Sequence, residues 1–161
     1  MYAFIRGTLV RATAIEAIVD CHGVGYKLHI PASACGRLPS PGSEVLLYTS
    51  FVIREQLQAL DGFLTERDKD LFESLTNVNG IGPKLALSII GHMSLDQISL
   101  AVHNKDIQTL SKVPGIGKKT AERLIVEMKD KLPAMFPAEM GISFAVHPLE
   151  QKITDAMSAL I

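Results

Sequence analysis

The chain has only two cysteines and no tryptophan among its 161 residues, and its 16 Lys and Arg are offset by 17 Asp and Glu, for a net charge of -1. Cys21 and Cys35 form no CxxC pair, which excludes a disulfide scaffold and fits a reducing compartment in which both act as small buried apolar residues. The five histidines, His22, His29, His92, His103 and His147, lack metal-ligand spacing, so no metal site is expected. Long apolar runs are also missing. Arg6 and Arg11 interrupt the N-terminal hydrophobic residues, so neither a signal peptide nor a spanning segment of about 20 residues can be drawn, and a soluble, cytoplasmic chain is expected. Without a global basic excess, any site for nucleic acid must be local. At about 100–200 residues per domain, the length leaves no room for a large catalytic barrel. With 47% hydrophobic and 20% charged residues, what remains is an ordinary globular protein with a real core.

Residues 1–63 read as strands. Tyr26, Leu28 and Ile30 alternate with Lys27 and His29, and Val45 to Ile53 form a β-branched and aromatic run. His22-Gly23-Val24-Gly25 and Pro39-Ser40-Pro41-Gly42 are turn-like, and Pro31 can open a short helix. Three strands, a small helix and two strands fit a closed Greek-key barrel such as an OB-fold. From residue 65 the period becomes helical. Thr65-Glu66-Arg67-Asp68 resembles a capping box, Ser94 and Gln97 form a second, Pro83 suits a first helical position, and Asp106 can cap a short helix. A last helix is expected over Lys118 to Lys131, ended by Pro133. Residues 133–147 then read as a flexible linker with Pro133, Pro137 and Gly141, and Ile153, Met157 and Leu160 mark an amphipathic helix with no C-capping signal.

The strongest pattern is a two-copy repeat. Val78-Asn79-Gly80-Ile81-Gly82-Pro83-Lys84-Leu85-Ala86 recurs 35 positions later as Val113-Pro114-Gly115-Ile116-Gly117-Lys118-Lys119-Thr120-Ala121. Two copies are too few for a solenoid, so paired hairpins in one compact domain fit better. Each pair of glycines lets the backbone turn and approach a ligand closely. The helix that follows has first N–H groups without internal partners and carries the positive end of its dipole, which makes an anion site. Ile81 and Ile116 would plug each hairpin into the core. Two such sites would hold phosphates on opposite strands of one duplex without reading base edges, giving sequence-independent, salt-sensitive binding.

Candidate DNA-binding residues are therefore Gly80, Gly82, Gly115 and Gly117 as backbone cradles and Lys84, Lys118, Lys119 and Arg123 as charge partners. Asn79 and Thr120 are candidates for side-chain hydrogen bonds. Residues 112–131 carry six cations, Lys112, Lys118, Lys119, Arg123, Lys129 and Lys131, against Glu122, Glu127 and Asp130. The competing reading makes both segments plain interhelical loops with lysines on a solvated face.

Other motifs fail. A Walker A loop would need glycine at Lys112 and Ser or Thr at Lys119, and Gly23-Val24-Gly25 lacks a third glycine and leads into a strand. No catalytic residue and no cofactor is expected. A base-excision glycosylase would need a catalytic aspartate in a segment unlike Glu127 to Pro133, where Asp130 falls on an exposed helix end. A generic duplex-binding module of a repair nuclease or ligase would share the hairpins without needing the barrel.

The paired Gly-Ile-Gly segments resemble helix-hairpin-helix motifs, and nearly the whole chain is similar to the RuvA family of Holliday junction branch-migration proteins. The similarity is carried by Gly23-Val24-Gly25-Tyr26, Val52-Ile53-Arg54-Glu55, Gly62-Phe63 and the two repeat segments, the second continuing through Glu122-Arg123-Leu124-Ile125. It implies a multi-domain α and β protein: an N-terminal OB-fold β-barrel (1–63) for oligomerisation and the junction centre, an all-α double helix-hairpin-helix domain (64–132) on DNA, the linker (133–147), and the start of a C-terminal helical domain (148–161) that binds RuvB. The family implies a homotetramer holding the four arms of a four-way junction open for a RuvB-type ATPase, in recombination, repair and the SOS response. It leaves room for a RuvC-type resolvase and leaves open whether one tetramer or an octamer covers the junction.

The family also carries an acidic pin of two acidic residues at the junction centre. Here the matching tip is Glu55 followed by Gln56, so one carboxylate is replaced by an amide. Like-charge repulsion from a pin would keep strands from collapsing inward. Read without the resemblance, Glu55 is a surface residue paired with Arg54. Residues 148–161 match only the opening helix of the family's C-terminal domain, so a truncated chain is expected; were this sequence the whole molecule, RuvB engagement would be weak or lost.

Overall fold

The computed structural model describes residues 2–137; the remainder of the linker and the C-terminal helix expected from the sequence lie outside those residues. Strands β1 (Phe4–Ala12), β2 (Glu16–Cys21), β3 (Val24–His29), β4 (Glu44–Arg54) and β5 (Leu57–Phe63) close into a barrel in the order β1-β2-β3-β5-β4. Every ladder is antiparallel except β3 with β5, where Leu28 pairs with Leu60 and His29 with Asp61. Helix α1 (Ala32–Cys35) sits between β3 and β4, as the OB-fold order requires.

Period-2 alternation sets the barrel interior. Ile5 faces Leu47, Leu9 faces Val19 and Ala17 faces Leu28 across neighbouring ladders, and all six are buried. Close packing reaches the backbone at Gly7, where a Cβ would fall 2.3 Å from the Asp20 carbonyl oxygen. The Gly23-Val24-Gly25 segment is structural, as its context suggested: Gly23 completes a turn, and Val24 and Gly25 already belong to β3. His22 (φ 52°) and Gly23 (φ 91°) form a two-residue hairpin loop, with Cys21 paired to Val24 and Asp20 Oδ1 accepting the Gly23 N–H at 2.7 Å. Cys21 and Cys35 are free and half-buried, not core residues as expected.

The second half is helical: α2 (Glu66–Thr76), α3 (Pro83–His92), α4 (Leu95–His103), α5 (Ile107–Ser111) and α6 (Lys118–Met135). Thr65 caps α2 by accepting the Asp68 N–H, Ser94 and Gln97 form a complete capping box on α4, and Asp106 accepts the Thr109 N–H at α5. Helix α6 outruns its expected end. Pro133 cannot donate to the Lys129 carbonyl, but buried Leu132 and Phe136 anchor the chain on both sides of it, and the Phe136 N–H donates to Leu132 O at 2.8 Å. Tertiary burial therefore carries the helix past a local breaker and three residues into the segment read as linker.

Barrel and helices share packing. Phe63 of β5 lies against Phe72 of α2 with ring centroids 4.9 Å apart, and Ser33 of α1 donates to the Ile90 carbonyl of α3 at 3.1 Å. The C-terminal end of β5 is thus covered on its outer face. Asp61, two residues before Phe63, is 2% exposed with Oδ2 lacking a hydrogen-bond partner, and burial pushes its carboxyl pKa up to about 7. No single helix among the described residues is long and apolar enough to cross a membrane.

Candidate nucleic-acid interface

The repeat in the sequence is a repeat in backbone geometry. In the first copy Val78 N–H donates to Leu75 O at 3.0 Å and Ile81 N–H to Val78 O at 3.0 Å; in the second, Val113 donates to Leu110 at 3.2 Å and Ile116 to Val113 at 3.1 Å. Gly80 and Gly115 both have φ +93°, a region that L side chains rarely enter. Gly82 (φ -92°, ψ 179°) and Gly117 (φ -89°, ψ 179°) both stand at the N-cap of the next helix. Val78, Ile81, Val113 and Ile116 are buried and fix each turn to the helical core, as expected of Ile81 and Ile116. Truncating either isoleucine to alanine would cost about 2–5 kcal/mol.

The two glycines of each hairpin therefore have different reasons. Gly80 and Gly115 are demanded by a positive φ; Gly82 and Gly117 are not, because extended backbone suits any residue. Nor does crowding require them. A Cβ on Gly117 would meet nothing within 4 Å, and one on Gly82 would meet only Arg54 Nη2 at 3.7 Å. What glycine leaves there is accessible backbone at a helix start. Helices α2, α4 and α5 close their first N–H groups with a side-chain cap, whereas α3 and α6 have no side-chain cap bond. The two uncapped helix starts behind the hairpins are thus positioned to donate to an anion.

The charged candidates stand around these ends. Lys84, Lys118, Lys119 and Arg123 are exposed, as are Asn79, Gly80, Gly115 and Gly117, while Gly82 and Thr120 are half-buried. Ion pairs among the described residues are Arg6–Glu44, Lys27–Glu16 and Arg37–Asp68, none of which draws on the four hairpin cations. The hairpins are also neighbours: a Cβ on Gly115 would lie 3.0 Å from Cδ1 of Leu85, on the helix that leaves the first hairpin. The fold thus places the ten candidates on two adjoining hairpins and the N-terminal parts of the helices α3 and α6 that leave them. Glu55 and Gln56 lie elsewhere, at the exposed turn joining β4 to β5, with Arg54 paired to Leu57 at its base. No Arg54–Glu55 ion pair forms among the described residues. Arg54 instead lies beside the first hairpin, with Nη2 3.7 Å from where a Cβ on Gly82 would stand, a juxtaposition of residues 28 positions apart that local sequence reasoning missed.

A cleft of about 410 Å³ lined by Ser33, Arg37, Asp68, His92, Ser94 and Asp96 includes none of the hairpin residues. The candidate site is an open surface of backbone donors and cations, suited to a polyanion rather than to an enclosed small molecule.

An OB-like barrel joined to a tandem helix-hairpin-helix domain defines a class of DNA-binding protein, and comparison with known proteins narrows it. Residues 1–62 match the RuvA N terminal domain family and residues 72–130 the SAM-like Helix-hairpin-helix tandem family. The chain is 50% identical to the Holliday junction branch migration complex subunit RuvA of Protochlamydia amoebophila over 166 residues, covering all of this chain and 82% of that protein. It is 44% identical to the RuvA subunit of Chlorobaculum parvum, covering 99% of this chain and 80% of the relative. The RuvA subunit of Shewanella amazonensis is 47% identical over 141 residues, 88% of this chain and 69% of the relative. The chain belongs to the RuvA family.

Proposed function

We propose that this chain binds four-way (Holliday) DNA junctions without sequence preference, as the DNA-binding subunit of a branch-migration complex. The observation that carries this reading is the pair of hairpins with matching dihedrals and hydrogen bonds, each offering an uncapped helix start behind two glycines. Backbone donors and lysines grip phosphates, which are the same in every sequence. Within each subunit, residues 64–132 hold one duplex arm through Gly80, Gly82, Gly115 and Gly117, with Lys84, Lys118, Lys119 and Arg123 supplying charge and Asn79 and Thr120 further hydrogen bonds. Residues 1–63 assemble a homotetramer, whose four copies present one such surface to each arm and gain affinity by multivalency. At the centre the Glu55 turns repel phosphate; with Gln56 beside it, each subunit contributes one formal charge in place of two.

The chain breaks no bond itself. Motive force comes from a RuvB-type ATPase engaged through the C-terminal domain, and an open face of the junction admits a RuvC-type resolvase. The test is a competition gel shift of an immobile four-way junction against a linear duplex of the same arm sequence at one moderate salt concentration. Strong junction preference is expected. Equal affinity would move the reading to a generic duplex-binding helix-hairpin-helix module.

A further inference from the structure

The two cradles share a backbone but not a supply of charge. Helix α6 opens with Lys118-Lys119, whereas the residue of α3 matching Lys118 is Pro83, which brings neither a cation nor an N–H. From its own helix start the first cradle has only Lys84. The barrel brings a second cation. Arg54, the last residue of β4, places Nη2 3.7 Å from where a Cβ on Gly82 would stand, while the equivalent point at Gly117 has no neighbour within 4 Å. Arg54 is exposed and makes no ion pair among the described residues, although Glu55 is adjacent in sequence. A guanidinium left unpaired beside an uncapped helix start can donate two parallel N–H groups to one phosphate.

Resting on the junction-binding reading above, we infer that Arg54 is a phosphate-binding residue of the first hairpin, supplying from the barrel the charge that Lys118 supplies within the second. A DNA backbone phosphate is then held jointly by the N–H groups of Lys84 and Leu85, the Lys84 ammonium and the Arg54 guanidinium. The next residue after Arg54 is Glu55. The same contact therefore fixes the distance along the strand between a gripped phosphate and the acidic turn, tying arm binding to the junction centre.

The test compares the full chain with Arg54→Ala and Arg54→Lys, titrating a linear duplex and an immobile junction across a fourfold range of salt. For each engaged Arg54, Arg54→Ala should make the slope of log Kobs against log[salt] shallower by about 0.9, so that affinity falls about 3.5-fold less across that range. Arg54→Lys keeps the charge and should restore the slope while losing the bidentate geometry, so its affinity falls between the other two. Combined with Lys84→Ala, the loss should be less than additive, because both cations serve one phosphate. A wild-type slope in Arg54→Ala, whether affinity is kept or lost, would overturn the inference, since a merely structural role moves affinity without counterion release. Wild-type protein that bound neither DNA would remove the underlying reading as well; wild-type binding with an Arg54-insensitive slope would remove this inference alone.

Discussion

Gly115 and Gly117 stand two residues apart in one hairpin, and alanine at each should separate folding from binding. At Gly115 the positive φ of +93° makes an alanine strained by about 1–3 kcal/mol. Its Cβ would also lie 3.0 Å from Leu85 Cδ1, so the leucine must yield by a few tenths of an ångström. A loss of about 2 kcal/mol lowers Tm by roughly 4–8 °C in a chain of this size. At Gly117 the backbone is extended and an added Cβ meets nothing within 4 Å. There, the poorer N-cap and the stiffer unfolded chain are worth about 0.5–1 kcal/mol each with opposite signs, leaving Tm nearly unchanged. The new methyl instead covers the approach to the first N–H groups of α6. Hydrogen bonds to charged acceptors are worth about 1.5–3 kcal/mol, so Gly117→Ala should weaken junction binding roughly 10- to 100-fold. Circular dichroism melting and fluorescence anisotropy titration of one labelled junction give both numbers. Gly117→Ala with wild-type affinity would refute the backbone cradle; Gly115→Ala with wild-type Tm would refute the assignment of strain.

Lys118→Ala should weaken binding to unrelated duplex sequences equally and flatten the salt slope by about one phosphate contact, measured by anisotropy at several salt concentrations; a sequence-selective loss would contradict backbone recognition. Ser94→Ala removes the hydroxyl half of the α4 capping box, leaving the Ser94 backbone N–H to Gln97 Oε1 bond in place, and should cost about 1 kcal/mol in urea unfolding with DNA affinity retained. Asp61 has a folded pKa raised to about 7 from 3.8, so the unfolded chain releases this proton first as pH rises. Its contribution to stability is therefore complete below about pH 4, falls until about pH 7 and is level above, a total loss of up to about 4 kcal/mol. Asp61→Asn should abolish that decline, and identical stability-against-pH curves for the two proteins would be inconsistent with a protonated native Asp61.

The barrel was legible because its strands bury one face: the alternation at Leu28 and Ile30 and the apolar run from Val45 report an interior in which Leu28, Ile30, Val45 and Leu47 are buried. The helix starts at Thr65, Ser94 and Asp106 were legible because capping is decided within three residues. Where a distant element intervenes, local rules gave out. No local pattern singled out Asp61: it is buried because the helical half covers its face of β5, as the Phe63–Phe72 contact shows. Pro133 reads as a helix stop, but Leu132 and Phe136 are held by the core. The repeat marked the hairpins without distinguishing their glycines: only the dihedrals show that the first of each pair serves the turn and that the second is left free for another purpose.

That distinction makes the hairpins unequal in what they depend on. The second draws its cations from its own helix, so its anion site travels with α6. The first has proline where the second has Lys118, and its nearest extra cation stands on β4, so its electrostatics depend on how the barrel meets the helices. Small shifts at that seam, where Phe63 meets Phe72 and Ser33 bonds the Ile90 carbonyl, would move Arg54 relative to Gly82 and change the first site while leaving the second intact. On the inference that Arg54 binds phosphate, the barrel contributes to the DNA-binding surface. A tandem hairpin domain separated from it should lose affinity chiefly at the first hairpin, and supplying the barrel as a separate chain should restore that affinity only if it reseats Arg54 beside Gly82.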